Sequence, residues 1–508
     1  MKTLASMLAV RSVFCLAVLA QATAAQDTAR PSTTFALIGG RVIVGDGSPA
    51  HDDWTIVVTG GRITAVGPRN KLMVPAGVTA IDVRGKSVIP GLIDAHGHHY
   101  ANTGRIRNMF EAYAPLYLAG GVTSVISPGD FDAEGMYDLK MRINRGETAG
   151  ARIFMGGYYI DNKPSEIGWF KPISNATEAA QRVEEWKDRI DIVKFYTSIT
   201  DDEMRAALAV ARKYGLPATA HLGTKPGSVN ASRAIDLGVN GLEHGLPMAM
   251  RAFYDADSTL DEKGPCPMGD LDLDRPVVRA LIEKIVRNKI AIDPTFITWR
   301  VGDDGFEPVT ANRDRFFSEA YQSRIAARKE QVRARAAANP RPPVDSVKLA
   351  SQRACAARTE ATGEEYVRRI WEQGGRILAG TDPVDPELIP GYGLHREMQI
   401  LVHAGIPPLE VIKAASYNAA VAIRRDKDLG SITMGKLADL VVVDGDPSVR
   451  IEDVGKTVMV FQAGVRYDPA VLRKMAEGKI DVLAPVSPSS GAASRLPPTA
   501  QRRPEPRR

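Results

Sequence analysis

Cysteine is nearly missing from this chain of 508 residues, with Cys15, Cys266 and Cys355 the only three. None belongs to a Cys-x-x-Cys pair, so a thiolate zinc site is not indicated. Long apolar runs are missing too. The one run of note, around Val13 to Leu19, is shorter than the ~20 residues that span a bilayer, so no stable membrane anchor is expected. A concentrated basic stripe is also absent. The net charge of +5 is spread along the chain, with a local surplus of five Arg against one Glu in 495–508. The electrostatic footprint of a nucleic-acid partner is therefore lacking. Histidine is scarce as well, and because there are only eight, where they fall is informative.

What is present is ordinary globular material: 44% hydrophobic and 25% charged residues, at a length that suggests one large domain and a smaller one. Lys2, the apolar run and the small residues Ala22 to Ala25 read as a signal peptide over 1–25, which would make the protein exported, periplasmic or secreted. In such an oxidising compartment Cys266 and Cys355 could pair, but spacing alone cannot bring them together, and two separate thiols fit equally well.

Residues 34–88 are β-branched runs broken by Gly and Pro, such as "DWTIVVTGGRITAVG", and the same pattern returns over 426–470 in "ADLVVVDG" and "VMVFQAGVRY". These two segments are expected to form a small β-sandwich from both chain ends. Between them, over 89–425, apolar strands alternate with helical stretches: "GLIDAHG", "GVTSVIS", "ARIFMGG", "DIVKFYT", "PATAHLG", "GLEHG", "IAIDPTF" and "RILAGTD". Eight such repeats predict an α/β fold, a (β/α)8 TIM barrel. Long insertions follow strands six and seven and begin on the catalytic face of such a barrel. The Pro-, Ser- and Arg-rich tail 486–508 reads as disordered.

His96 and His98 sit two apart at the end of the first strand, so period-two alternation points both to one face. His221, His244 and Asp382 end strands five, six and eight. Any one of these alone reads as a hydrogen-bonded core residue, but together they place five metal-capable side chains on one face. Lys194 lies inside the apolar fourth strand, where it must either pair with an acid or lose its charge. Reaction with CO2 would turn it into a carbamate able to bridge two ions. Imidazole and oxygen donors without Cys suit Zn2+, with Mn2+, Fe2+ and Co2+ as alternatives. Tyr196 shares the face of Lys194 and could donate to a substrate, or simply pack. His395, beyond strand eight, is a second candidate at the pocket mouth.

The "VIPGLIDAHGHH", "DIVKFY" and "LAGTD" strands, with "LGSITMGKLADLVVVDGDP" near the C-terminus, resemble the amidohydrolase superfamily, in its imidazolonepropionase-like and Xaa-Pro dipeptidase-like branch. The resemblance implies a binuclear site. His96 and His98 would hold one ion with Asp382, His221 and His244 would hold the other, and carbamylated Lys194 would bridge them. It further implies that a metal-bridging hydroxide attacks a C–N bond of a small substrate (an N-acyl amino acid, a dipeptide or a cyclic amide), with Asp382 as catalytic base. Imidazolonepropionases themselves hold one ion and lack the bridging Lys, so Lys194 counts against that activity. Ester or lactone hydrolysis on the same site, and a non-catalytic binding protein, remain as alternatives. A homo-oligomer is left open.

Overall fold

The computed structural model describes residues 34–102, 106–163, 171–300, 313–338 and 345–481. The signal-peptide and tail segments read from the sequence lie outside the described residues. Eight short strands lie in the order the sequence suggests: β1 (Leu92–Asp94), β2 (Val122–Ser127), β3 (Arg152–Met155), β4 (Val193–Phe195), β5 (Ala218–Ala220), β6 (Gly241–Glu243), β7 (Ala291–Asp293) and β8 (Arg376–Ile377). Almost every residue in them is buried, as strands covered on both faces require.

All neighbouring strands run parallel, in one sheet of three (β3-β2-β1) and one of five (β4 to β8). Backbone hydrogen bonds cross both gaps between the sheets. Ala95 N–H donates to the Ala379 carbonyl at 3.0 Å on the β1–β8 side, and Asp191 N–H to Met155 at 2.8 Å on the β3–β4 side. Helices connect the strands and are ended by local chemistry. Thr200 and Glu203 form a capping box on Asp201–Lys213, and Gly238, at φ 103°, closes Ala231–Leu237 in a left-handed turn that a side chain would strain.

Both chain ends contribute to one further sheet. Strands Thr34–Val42, His51–Thr59, Arg62–Pro68, Thr79–Asp82 and Ser87–Pro90 join Leu440–Val443, Thr457–Gln462 and Val465–Tyr467. The expectation was a sandwich. Hydrogen bonding instead links all eight strands in one sheet, which curls until Phe35 stacks on Phe461 with ring centroids 4.7 Å apart. Curling lets a single sheet enclose a core of its own, built from Leu37, Ile56, Val88 and Leu440.

The insertion after β6 carries helices Leu246–Ala256 and Pro276–Arg287, and the one after β7 carries Glu319–Ala338 and Ser346–Glu372. A Cys266–Cys355 disulfide ties the two insertions together, which settles in favour of pairing the alternative that spacing left open.

Candidate metal centre

The C-terminal ends of β1, β4, β5, β6 and β8 bring all six predicted side chains together. His98 Nε2 lies 3.2 Å from Asp382 Oδ1, and His96 Nε2 lies 3.8 Å from the same oxygen. The His96 and His244 rings are 5.2 Å apart. His244 Nε2 meets His221 Nδ1 at 2.9 Å. Lys194, 1% exposed, contacts Glu243, and Glu243 lies 4.0 Å from His244 Nε2. Two groups have potential ligand atoms that all lie within 4.8 Å of one another: His96, His98 and Asp382, and His96, Glu243 and His244.

Sequence reading missed Glu243. It precedes His244, and in a regular strand the two would face opposite sides. His244, however, has φ 61°, a left-handed conformation that costs a non-glycine residue roughly 1–3 kcal/mol. This break in alternation turns both side chains inward. Glu243 then meets Lys194 across the intervening β5, as residues of alternate strands do inside barrels. Thr295 (φ 46°) and Asp382 (φ 44°) are bent in the same way. Three positive-φ residues at adjoining strand ends mark a site held in shape by its surroundings. Asp293 is the other acid missed, with Oδ2 3.3 Å from His96 Nδ1. Its place at the end of "IAIDPTF" was the available signal.

A buried polar scaffold fixes the ligand set. Asp94 accepts from Thr381 Oγ1 at 2.7 Å, from Thr381 N–H and from His96 N–H, which joins β1 to β8. Thr295 Oγ1 lies 2.7 Å from His244 Nδ1 and orients that ring. Burial pushes the His96 and His221 imidazoles well below their usual range, and His244 downward too, so the rings present neutral lone pairs. Burial opposes a charge on Asp382. The ring nitrogens that face it, His96 first and then His98, outweigh it as polar N–H groups of neutral rings and hold the carboxyl well below the ordinary range. The Nδ1 atom of His98 is buried without a hydrogen bond, a costly state that a bound cation would relieve. Neutral imidazoles and ionised carboxylates without thiolate are a donor set that fits a divalent metal.

The amidohydrolase family model matches residues 87–263 and 322–479, about two thirds of the sequence. The chain belongs to the amidohydrolase family. Among curated relatives, it is 30% identical over 139 residues to the enamidase of Eubacterium barkeri, a match covering 25% of this chain and 36% of the relative. It is 36% identical over 77 residues to the imidazolonepropionase of Symbiobacterium thermophilum, covering 15% and 18%. The chain thus spans well under half the length of either relative. Among solved structures it is similar to a Xaa-Pro dipeptidase with bound methionine in the active site, at TM-score 0.60 and 22% identity over 86% of this chain and all of the other. That likeness supports the amidohydrolase fold, a TIM barrel.

In this amidohydrolase a cavity of about 900 Å³ opens over the cluster, lined by His96, His98, Lys194, His221 and Asp382. Tyr196 also lines it, 4.7 Å from the His221 ring between centroids, so it has the access its expected role needs. His395 does not. It points away from the cavity, and its Nε2 donates to the Gly120 carbonyl at 2.6 Å, just before the start of β2. It lies in the first turn of the helix Tyr392–His403, which begins beside Gly120 at the opposite end of the strands, so it is a structural residue and not part of the pocket mouth.

Its placement has a measurable consequence. Burial lowers His395 to about 4, against the upward pull of the Gly120 bond. With a folded pKa below the unfolded value near 6.5, the neutral ring's contribution is present above pH ~6.5 and lost as pH falls toward ~4. His395→Gln keeps a donor but does not titrate. Between pH 7 and pH 4 the stability advantage of wild type over this variant should shrink by about 3 kcal/mol in urea unfolding. An advantage unchanged across that range would refute the assignment.

Proposed function

We propose that this amidohydrolase is an exported, metal-dependent hydrolase of the C–N bond in a small amide, such as an N-acyl amino acid, a dipeptide or a cyclic amide. One observation carries the reading: six metal-capable side chains from five strand ends converge beneath a cavity of about 900 Å³. The eight strands would close as a complete (β/α)8 barrel, as the hydrogen bonds across both gaps between the sheets suggest. Export is supported by the N-terminal segment and is compatible with the disulfide.

His96, His98 and Asp382 would hold one divalent ion and His221 and His244 a second, with zinc the first candidate and Mn2+, Fe2+ or Co2+ the alternatives. Such ions polarise a carbonyl and make a nearby water more acidic. Asp382, kept ionised by the facing imidazoles, takes a proton from that water and later returns it to the departing amine. Tyr196 donates to a polar group of the substrate. Lys194, buried beside His96, His221 and His244, would add to CO2 and lose a proton, giving a carbamate that supplies a shared oxygen donor. In the amine form it pairs with Glu243.

Protein purified after growth with added zinc or manganese should carry about two ions per chain by plasma mass spectrometry. It should also hydrolyse members of a panel of N-acyl amino acids and dipeptides. Metal near zero together with no turnover of any amide would refute the reading.

A further inference from the structure

Trp299 is the largest apolar side chain left exposed among the described residues, at 60%, and it is not on a loose loop. It ends the short helical turn Phe296–Trp299, and that turn is fastened on several sides. Fully buried Glu397 accepts the backbone N–H groups of Phe296 at 3.1 Å and Ile297 at 2.8 Å. Thr298 Oγ1 donates to the Thr381 carbonyl at 2.7 Å. Arg300 donates to Glu364 at 2.6 Å in a buried pair. Ile297 packs against Leu388 and Ile400. A turn held this firmly fixes the backbone from which the indole projects, although exposure of so large an apolar surface is unfavourable.

That turn adjoins the metal centre. The indole stands edge-on to the His244 ring at 6.2 Å between centroids, and Thr298, its neighbour in sequence, reaches the Asp382 carbonyl at 3.3 Å. His221 lies on from His244 at 4.3 Å and Tyr196 on from His221 at 4.7 Å. The imidazoles that would face a scissile carbonyl are therefore flanked by Tyr196 on one side and Trp299 on the other.

We propose that Trp299 is a specificity-determining platform that selects amides carrying an aromatic or bulky apolar group on one side of the scissile bond. This rests on the hydrolase reading above. Planar groups stack on an indole with a gain beyond area burial alone, and a ring projecting from an anchored turn has only its own two side-chain torsions to order when it binds.

The test compares wild type, Trp299→Ala and Trp299→Phe, all metal-loaded, on N-benzoylglycine, N-acetylphenylalanine, N-acetyllysine and N-acetylglycine. At least one aromatic substrate should exceed N-acetylglycine in kcat/KM by about tenfold or more. That ratio should fall by about tenfold in Trp299→Ala, chiefly through KM, and stay within about threefold of wild type in Trp299→Phe, with metal content equal in all three. An unchanged ratio, or a loss of metal that lowers every substrate equally, would overturn the proposal. So would N-acetyllysine as the preferred substrate, since the ring would then be recognising a cation. If wild type cleaves none of the four, what has failed is the N-acyl amino acid branch of the hydrolase reading. Calorimetric titration with N-benzoylglycine then decides the platform alone: binding by wild type that Trp299→Ala loses supports it, and no binding by either protein overturns it.

Discussion

Asp382→Asn should lower amide turnover by about 10²–10⁴-fold, the span of acid–base catalysis, while metal content changes little. Asn keeps the size of the side chain and an oxygen 3.2 Å from His98 Nε2, but removes the basic site that His96 and His98 hold in its ionised form. Its backbone conformation, φ 44°, is one that Asn tolerates well, so the strand end should keep its shape. The wild-type rate should fall at acidic pH as the water–carboxylate pair takes up a proton, and that titration belongs to the pair. The measurements are kcat, metal content and a pH profile for both proteins on one substrate. A variant that keeps its metal and turns over within a few-fold of wild type would exclude Asp382 as the base. His395 cannot then be the substitute, because it faces Gly120 at the other end of the strands.

Lys194→Met should cost both metal and stability. With no nitrogen at this position the proposed carbamate could not form, and two bound cations would lack the anion that screens their repulsion. Metal content should drop toward one ion, most activity should go, and added short-chain carboxylates should restore part of it. Independently, Glu243 is left buried with Thr219 Oγ1, at 3.1 Å, as its recorded donor. Breaking a buried ion pair from one side costs about 3–5 kcal/mol, seen as a lower Tm of metal-free protein. Adding Glu243→Gln removes the stranded charge, so the double variant should regain Tm without regaining metal. Full metal content and turnover in Lys194→Met would rule out a bridging role. Metal retained beside a lowered Tm would make Lys194 a structural partner of Glu243.

Much of this was legible in the sequence, because strand ends are local objects. An apolar run ending in His or Asp needs only period-two alternation and burial to be recognised, and β1 to β8 fall where those runs lie. The same local reasoning failed where one backbone dihedral reversed the alternation. Glu243 was hidden because the left-handed turn at His244 is not written in "GLEHG", and it took the strand packing to show Lys194 and Glu243 in contact. His395 failed for another reason. It follows β8 in sequence, but the connection after β8 has already reached Gly120, at the other end of the strands, by Gly391, so the first turn of the helix Tyr392–His403 starts there.

By itself, then, the sequence determined the order of the strands, the identity of the metal-capable side chains and the end of the sheet that holds them, since these follow from short-range periodicity and burial. Tertiary structure alone decided which acid meets Lys194, that Cys266 and Cys355 join the two insertions, that the flanking strands form one curled sheet, and that Trp299 is held out beside His244. Each of these depends on distances between segments far apart in the chain, and the conformation of the intervening backbone sets those distances.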